Sequence, residues 1–139
     1  MDRLNTRNML RRRNYKLEES NYNCVLCQQH VEETAFHLFF ACPFSQQCWT
    51  NISIAWDMNT DFFTMLARAK MAAQHQYFME IFIIATWQIW KQRNDYIFNR
   101  NRPSFHTWKR NFLTEAELQA HRLPEGKKQA FLALIELYR

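Results

Sequence analysis

A mainly α-helical fold is predicted by three features of the sequence. Only one glycine, Gly126, and three prolines occur in 139 residues, too few for the tight turns that β-hairpins require. Hydrophobic residues make up 47% of the chain and aromatics 16%, enough apolar surface for a packed core. Beyond residue 60 the apolar positions recur at spacings of three and four, the period of helices that bury one face. At this length one domain is expected.

The elements follow in order. Thr6 is placed to cap a short basic helix running through Arg13, because a hydroxyl accepts from the free N–H groups of a first turn. A polar stretch, KLEESNYN, leads into the cysteines. Ala35, Phe36, Phe39 and Phe40 predict a helical turn within residues 32–41 that Pro43 ends. Ser45 is the expected cap of a second short helix carrying Trp49 and Ile52, and Thr60 or Asp61 of a third with Phe62, Met65, Leu66 and Ala69 on one face. Phe78, Ile81, Phe82, Ala85 and Ile89 mark a longer helix through about Phe98. It breaks in NRNRPS, where Pro103 pushes Arg102 out of helical geometry. Phe105, Trp108, Phe112 and Ala116 start another that ends near Arg122. After the turn LPEG, Phe131, Leu134, Ile135 and Tyr138 form a last amphipathic helix. There is no internal repeat and no low-complexity tract.

Several function classes drop out. A chain with one glycine has no Gly-rich phosphate loop, so P-loop and dinucleotide-binding readings fail. The longest apolar run, IFIIATWQIW, is about half the length that spans a bilayer and reads as a buried helix, so no membrane partner is expected. The Arg-rich start lacks the apolar core of a secretory signal. A mitochondrial presequence is the lesser reading, because the stretch runs on into the motif described below. Four cysteines without a secretion signal point to a reducing compartment, nuclear or cytoplasmic, and to thiols or thiolates more than disulfides.

Net charge is +5, but its distribution is uneven. Residues 1–20 carry six Lys/Arg against three Asp/Glu, and residues 61–139 carry twelve against seven. Residues 21–60, which hold every cysteine, have no Lys or Arg and three acids, Glu32, Glu33 and Asp57. A phosphate-binding surface must therefore come from the flanks. The densest positive stretch is Lys91, Arg93, Arg100, Arg102, Lys109 and Arg110, with the run Arg11, Arg12 and Arg13 adding to it if it shares the same face.

The cysteines define the candidate site. Cys24 and Cys27 form a C-x2-C pair, followed after nine residues by His37 and after four more by Cys42. Two thiolates two residues apart on one tight turn grasp a Zn²⁺ ion, and a nearby His and Cys complete a tetrahedron. Four protein ligands leave no open position for water, so such a zinc is structural and does not activate a nucleophile. The bland alternative is a set of unligated core thiols beside a capped histidine. His30 is the rival nitrogen, three residues after Cys27, where closing the site is strained. Cys48, beside Trp49, reads as an inert buried thiol. Gln28 and Gln29 stand where the turn after such a pair often carries glycine for positive φ.

The stretch DRLNTRNMLRRR, the pair CVLC, and EETAFHLFFACPFSQQCW together resemble the zinc-binding domain near the C-terminal end of plant non-LTR (LINE-type) reverse-transcriptase proteins and of shorter genes derived from them. The resemblance covers roughly the first fifty residues, and WQIWKQRNDYIFN and RPSFHTWKRNF are similar to the helical region that follows in such proteins. It implies Cys24, Cys27, His37 and Cys42 as the Zn²⁺ ligands. No Tyr-x-Asp-Asp or comparable aspartate pair is present, so an accessory module and not a polymerase is implied.

Trp87, Trp90, Asn94 and Phe98 fall on one helical face. A stacking platform for bases is conceivable, but burial in a helix–helix core is the expectation, with Asn94 as a buried amide holding a neighbouring backbone group. The whole is then a small CCHC zinc knuckle followed by a helical bundle. Residues 1–56 form a zinc-binding module with a leading basic helix, and residues 57–139 a helical region packed on it. Two functions fit: weak, nonspecific binding of RNA or DNA through the flanking cations, or a protein-interaction adaptor whose aromatic helix faces dock a partner or a second copy. No nucleophile–base pair suggests an enzyme.

Overall fold

The computed structural model describes Thr6 and residues 22–139. Thr6 is buried, while the basic helix expected after it, with Arg11, Arg12 and Arg13, lies outside the described residues. The described part is mainly helical. A π-helical turn, His37–Ala41, precedes α1 (Pro43–Asn51), α2 (Phe62–Ala72), α3 (Phe78–Asn99), α4 (Phe105–Ala120) and α5 (Glu125–Glu136).

The boundaries have local causes. Asp61 caps α2 by accepting the Thr64 N–H at 3.0 Å, and Ser104 caps α4 by accepting that of Thr107 at 3.2 Å. Arg100 ends α3 in the left-handed region, φ 59°, a cost met by its N–H bond to the Tyr96 carbonyl at 2.9 Å. Ser45 does not cap α1. Cys42 is the extended N-cap residue and Pro43 takes the first helical position, where its missing N–H is one of the four that have no intrahelical partner anyway.

The helices α3 and α4 pack together, α4 packs on α5, and α1 lies across α3 and α4 with the π turn beside it. One continuous apolar cluster runs from Cys24 to Tyr138. At its front Phe40, wholly buried, meets Trp56 edge-on at 5.1 Å between centroids and stacks on Trp49 at 6.3 Å and Phe82 at 6.4 Å. Such pairs contribute about 0.5–1.5 kcal/mol each beyond their buried area. At its back Trp108 stacks on Phe112 at 5.2 Å, and its indole N–H donates to the Ala85 carbonyl at 3.3 Å.

The buried face of α3 holds the expected Phe78, Ile81, Ala85 and Ile89, but the stripe expected at Trp87, Trp90, Asn94 and Phe98 is not buried as a set. Trp87 is 51% exposed and Phe98 74%, and only Trp90 of the three aromatics packs partly against the core. The face that α3 turns inward is Ile81, Ile84, Ala85, Gln88, Ile89, Gln92 and Arg93. Three long polar side chains on it displaced the apolar stripe from the position that periodicity alone indicates. Gln92 and Arg93 are worth burying because they are paired. Gln92 Oε1 accepts the Ser104 N–H at 2.9 Å, fastening the start of α4. Asn94 is half-buried and receives an N–H of Arg93 at 2.8 Å, so it holds a guanidinium and not a backbone group.

Arg93 itself reaches Glu33 through two parallel bonds, Nε to Oε2 at 3.1 Å and Nη2 to Oε1 at 2.9 Å, with side-chain exposures of 5% and 0%. The guanidinium also lies over the Trp90 ring, 4.6 Å from its centroid. This pair joins residue 33 of the cysteine segment to the long helix. Removing one partner leaves a buried charge alone, so Glu33→Ala should destabilise by about 3–5 kcal/mol, whereas Glu33→Leu with Arg93→Met should cost far less. Urea unfolding of both variants checks this. Equal losses would mean that the pair contributes packing and not charge compensation.

Candidate metal centre

The first half of the site is a loop without glycine. Asn23 and Glu32 form an isolated antiparallel bridge, tightened by bonds from the Cys24 N–H to the Val31 carbonyl and from the Glu33 N–H to the Tyr22 carbonyl, both 2.8 Å. The chain between them must reverse direction. The left-handed residue that makes this possible is His30, at φ 57°, and not Gln28 or Gln29. His30 is exposed and stands outside the cluster of ligand atoms. Its place is that of a turn residue.

The second half depends on the π turn. The Thr34 hydroxyl accepts the His37 N–H at 3.0 Å, and the Cys42 N–H reaches back five residues to the His37 carbonyl at 2.7 Å. In an α-helix residues five apart point roughly 140° away from each other. The wider π turn brings them towards the same side. Pro43 enforces the change, since its ring would meet the Phe39 carbonyl if the helix continued and it has no N–H to offer. The Leu38 and Phe39 carbonyls are thereby left without helical donors. Ser45 and Trp49, one turn apart on the buried side of α1, take them: the Ser45 hydroxyl donates to Leu38, and the Trp49 indole N–H to Phe39 at 2.7 Å. Sequence reasoning missed this use of Ser45 and Trp49. The signal was their spacing of four, immediately after Cys-Pro.

The ligand atoms of Cys24, Cys27, His37 and Cys42 all lie within 4.8 Å of one another. The Cys24 and Cys42 sulfurs are 3.9 Å apart, and the Cys27 sulfur is 3.4 Å from His37 Nε2. A tetrahedral zinc with ordinary bond lengths requires about 3.8 Å between sulfurs and about 3.6 Å between sulfur and nitrogen. The donor set, three soft thiols and one imidazole, suits Zn²⁺. Cys24, His37 and Cys42 are buried and Cys27 is partly so.

The thiols differ in acidity. Cys42 is lowered to about 6, first by the hydrogen bond that the Cys24 thiol donates to it, then by the Phe44 and Ser45 N–H groups at the start of α1. Cys24 is raised as the donor in the same bond and by burial, and Cys27 is raised by burial. Cys48 is fully buried outside the cluster, and burial pushes its thiol up, as an inert core cysteine requires.

A closed set of four side chains, two on a hairpin loop, one in a π turn and one at a helix start, defines a structural zinc-binding module. Residues 1–49, about a third of the chain, match the family model described as zinc-binding in reverse transcriptase, a zinc-binding region and not itself a catalytic domain. Neither curated proteins nor solved structures supply a match.

The remaining predicted residues are distributed unevenly. Lys91 is exposed, its ammonium 5.6 Å from the Trp87 ring centroid. Arg100, Arg102 and Arg110 are exposed and Lys109 half-buried. Arg93 is withdrawn from this group by its buried pairing with Glu33, and the arginine run at 11–13 lies outside the described residues. Among the described residues no helix is long and apolar enough to cross a membrane.

Two outcomes follow for the metal. Cys24→Ser should lose stoichiometric zinc and lower the melting temperature markedly, while His30→Ala and Cys48→Ala should each retain one zinc by atomic absorption. An unchanged melting point for Cys24→Ser would show that the knuckle is not structural. At pH 7 the Cys42 thiol is already ionised and the Cys24 and Cys27 thiols are not, so the thiols should release about two protons on zinc binding and about three below pH 6. Affinity should therefore fall as pH falls, more steeply below 6. Calorimetry in buffers of different ionisation enthalpy measures the count, and three protons at pH 7 would contradict the assigned order.

Proposed function

We propose that this chain is a non-catalytic, retroelement-derived zinc module that binds RNA or DNA, weakly and without sequence preference, through basic residues flanking the metal site. The observation that carries the reading is the placement of Lys91, Arg100, Arg102, Lys109 and Arg110. They extend from the later turns of α3 through the linker into the first turns of α4. None of them has an ion-pair partner among the described residues. Unpaired cations close together are what a polyanion selects. The family match over residues 1–49 supports a retroelement context, and the closed donor set supports a metal that orders the chain and catalyses nothing.

A second reading, a protein-interaction adaptor, is favoured by one feature. A cleft of about 260 Å³ between the π turn, α2 and α3 is lined almost wholly by apolar groups, among them Phe40, Phe62, Phe82, Ile83 and Trp87. Its one polar side chain, Thr86, spends its hydroxyl on the Phe82 and Ile83 carbonyls.

Salt separates the two. Counterion release makes log affinity for a polyanion fall linearly with log salt, by about 0.7–0.9 for each phosphate contacted. Arg100→Glu with Arg102→Glu should weaken binding to any oligonucleotide and flatten that slope by about 1–2, with the melting point unchanged. A gel-shift titration at two salt concentrations gives both numbers. Affinity indifferent to salt and to these substitutions would leave the adaptor reading standing.

A further inference from the structure

Five residues of α3 share a stripe that the core does not cover. Ile83, Trp87, Lys91, Asn94 and Phe98 are spaced by four, four, three and four, so they follow one another along one side of the helix. Ile83, Trp87, Lys91 and Phe98 are exposed, and Asn94 is half-buried. Trp87 and Phe98 are eleven residues apart, roughly 16 Å along the axis and nearly in line. Lys91 stands between them with its ammonium over the Trp87 ring. Beyond Phe98 the exposed Arg100 and Arg102 continue the positive charge.

We propose that this face of α3 is a stacking track for single-stranded nucleic acid, with Trp87 and Phe98 as base platforms and Lys91, Arg100 and Arg102 as phosphate contacts. The inference rests on the nucleic-acid reading above and narrows it to unpaired strands. Aromatic faces bind bases with little regard to sequence, and cations placed between them track the backbone. A docked protein helix would need an apolar seam at every turn. Here the seam is interrupted between Trp87 and Phe98 by Lys91 and Asn94, and it lies next to cations. A duplex, with its bases stacked inside, could use the charges but not the two rings.

The stripe's acids do not oppose this. Glu80 marks its far end, two turns before Trp87. Asp95 lies about a quarter-turn off the line, and its carboxylate accepts from the side-chain amides of Asn99 and Asn101 at 2.9–3.1 Å. Of the five tryptophans, Trp87 is the one whose ring is largely exposed. Base stacking therefore has a spectroscopic reporter.

The test uses the zinc-loaded full chain with oligo(U) and oligo(dT) of about 20 nucleotides and with a duplex of equal length. The expected result is tighter binding of the single strands than of the duplex, with quenching of tryptophan emission. Trp87→Ala with Phe98→Ala should weaken single-strand binding at least about tenfold, leave duplex binding within about twofold and abolish most of the quenching. Trp87→Phe should restore affinity, which lost packing alone would not predict. Phe98→Ala by itself, at a site 74% exposed, keeps the comparison valid if the double variant folds poorly. Equal affinity for single strand and duplex, unmoved by the aromatic substitutions, would overturn the track and leave general nucleic-acid binding intact. No binding of either at low salt would overturn both. A wild-type dimer that the double variant dissociates, with oligonucleotide affinity unchanged, would also overturn it, because the face would then be a protein interface.

Discussion

The bond from the Cys42 amide to the His37 carbonyl sets the geometry on which both the metal site and the front of the core depend. By spanning five residues it brings a histidine and a cysteine together that an α turn would have separated. The same bond leaves the Leu38 carbonyl without its usual donor, and Pro43 does the same to Phe39. Ser45 and Trp49 supply both. Trp49 thereby fixes the aromatic cluster through its contact with Phe40. Cys42 is at once a metal ligand and the N-cap residue of α1. A thiolate at that place meets the partial positive charge of the helix start, so the ligand is favoured before any metal arrives.

Two interactions of different character join the cysteine segment to the helices behind it. The aromatic cluster is non-directional and grows with buried area. The Glu33–Arg93 pair is directional, since its two bonds accept one register of α3 against the bridge at residues 23–32 and no other. A buried ion pair adds little net stability over an apolar replacement. Its value lies in excluding other arrangements of an aromatic-rich core that could slide. Zinc contributes on the order of 10 kcal/mol to ordering a knuckle of this kind. Through Cys42 and Glu33 that order extends to α1 and α3, and through the packing of α3 on α4, where Trp108 donates to the Ala85 carbonyl, to the helices behind.

Most of the fold and the clustering of Cys24, Cys27, His37 and Cys42 could be read from spacing, because each signal was local. The Asp61 cap, the break before Pro103 and the C-x2-C pair each rest on the chemistry of a few neighbouring residues, whereas the Ser104 cap was not read. What could not be read depended on partners far along the chain. Arg93 looks like a surface cation until Glu33, sixty residues earlier, claims it. Gln88 and Gln92 look like a solvated face, and Trp87 and Phe98 like a buried one, although the reverse holds. A helix whose apolar residues nearly encircle it offers more than one possible inner face, and pairing of its polar side chains decides among them. Ser45 was legible as a hydroxyl near a helix start, but its partner is a carbonyl that only the π turn leaves free.

Charge is distributed unevenly about the metal site. Three thiolates and a neutral imidazole around Zn²⁺ leave a net negative charge at the knuckle, and the segment around it carries acids without a single Lys or Arg. Arg93, which pairs with this segment, is neutralised by Glu33 and covered. Exposed positive side chains include Lys91, Arg100, Arg102 and Arg110, along the later turns of α3, the linker and the start of α4, and also Arg68, Lys70, Arg122 and Lys127 elsewhere. A metal at the knuckle therefore bears on the rest of the chain through the frame that it orders, with the Glu33–Arg93 pair carrying that order to α3.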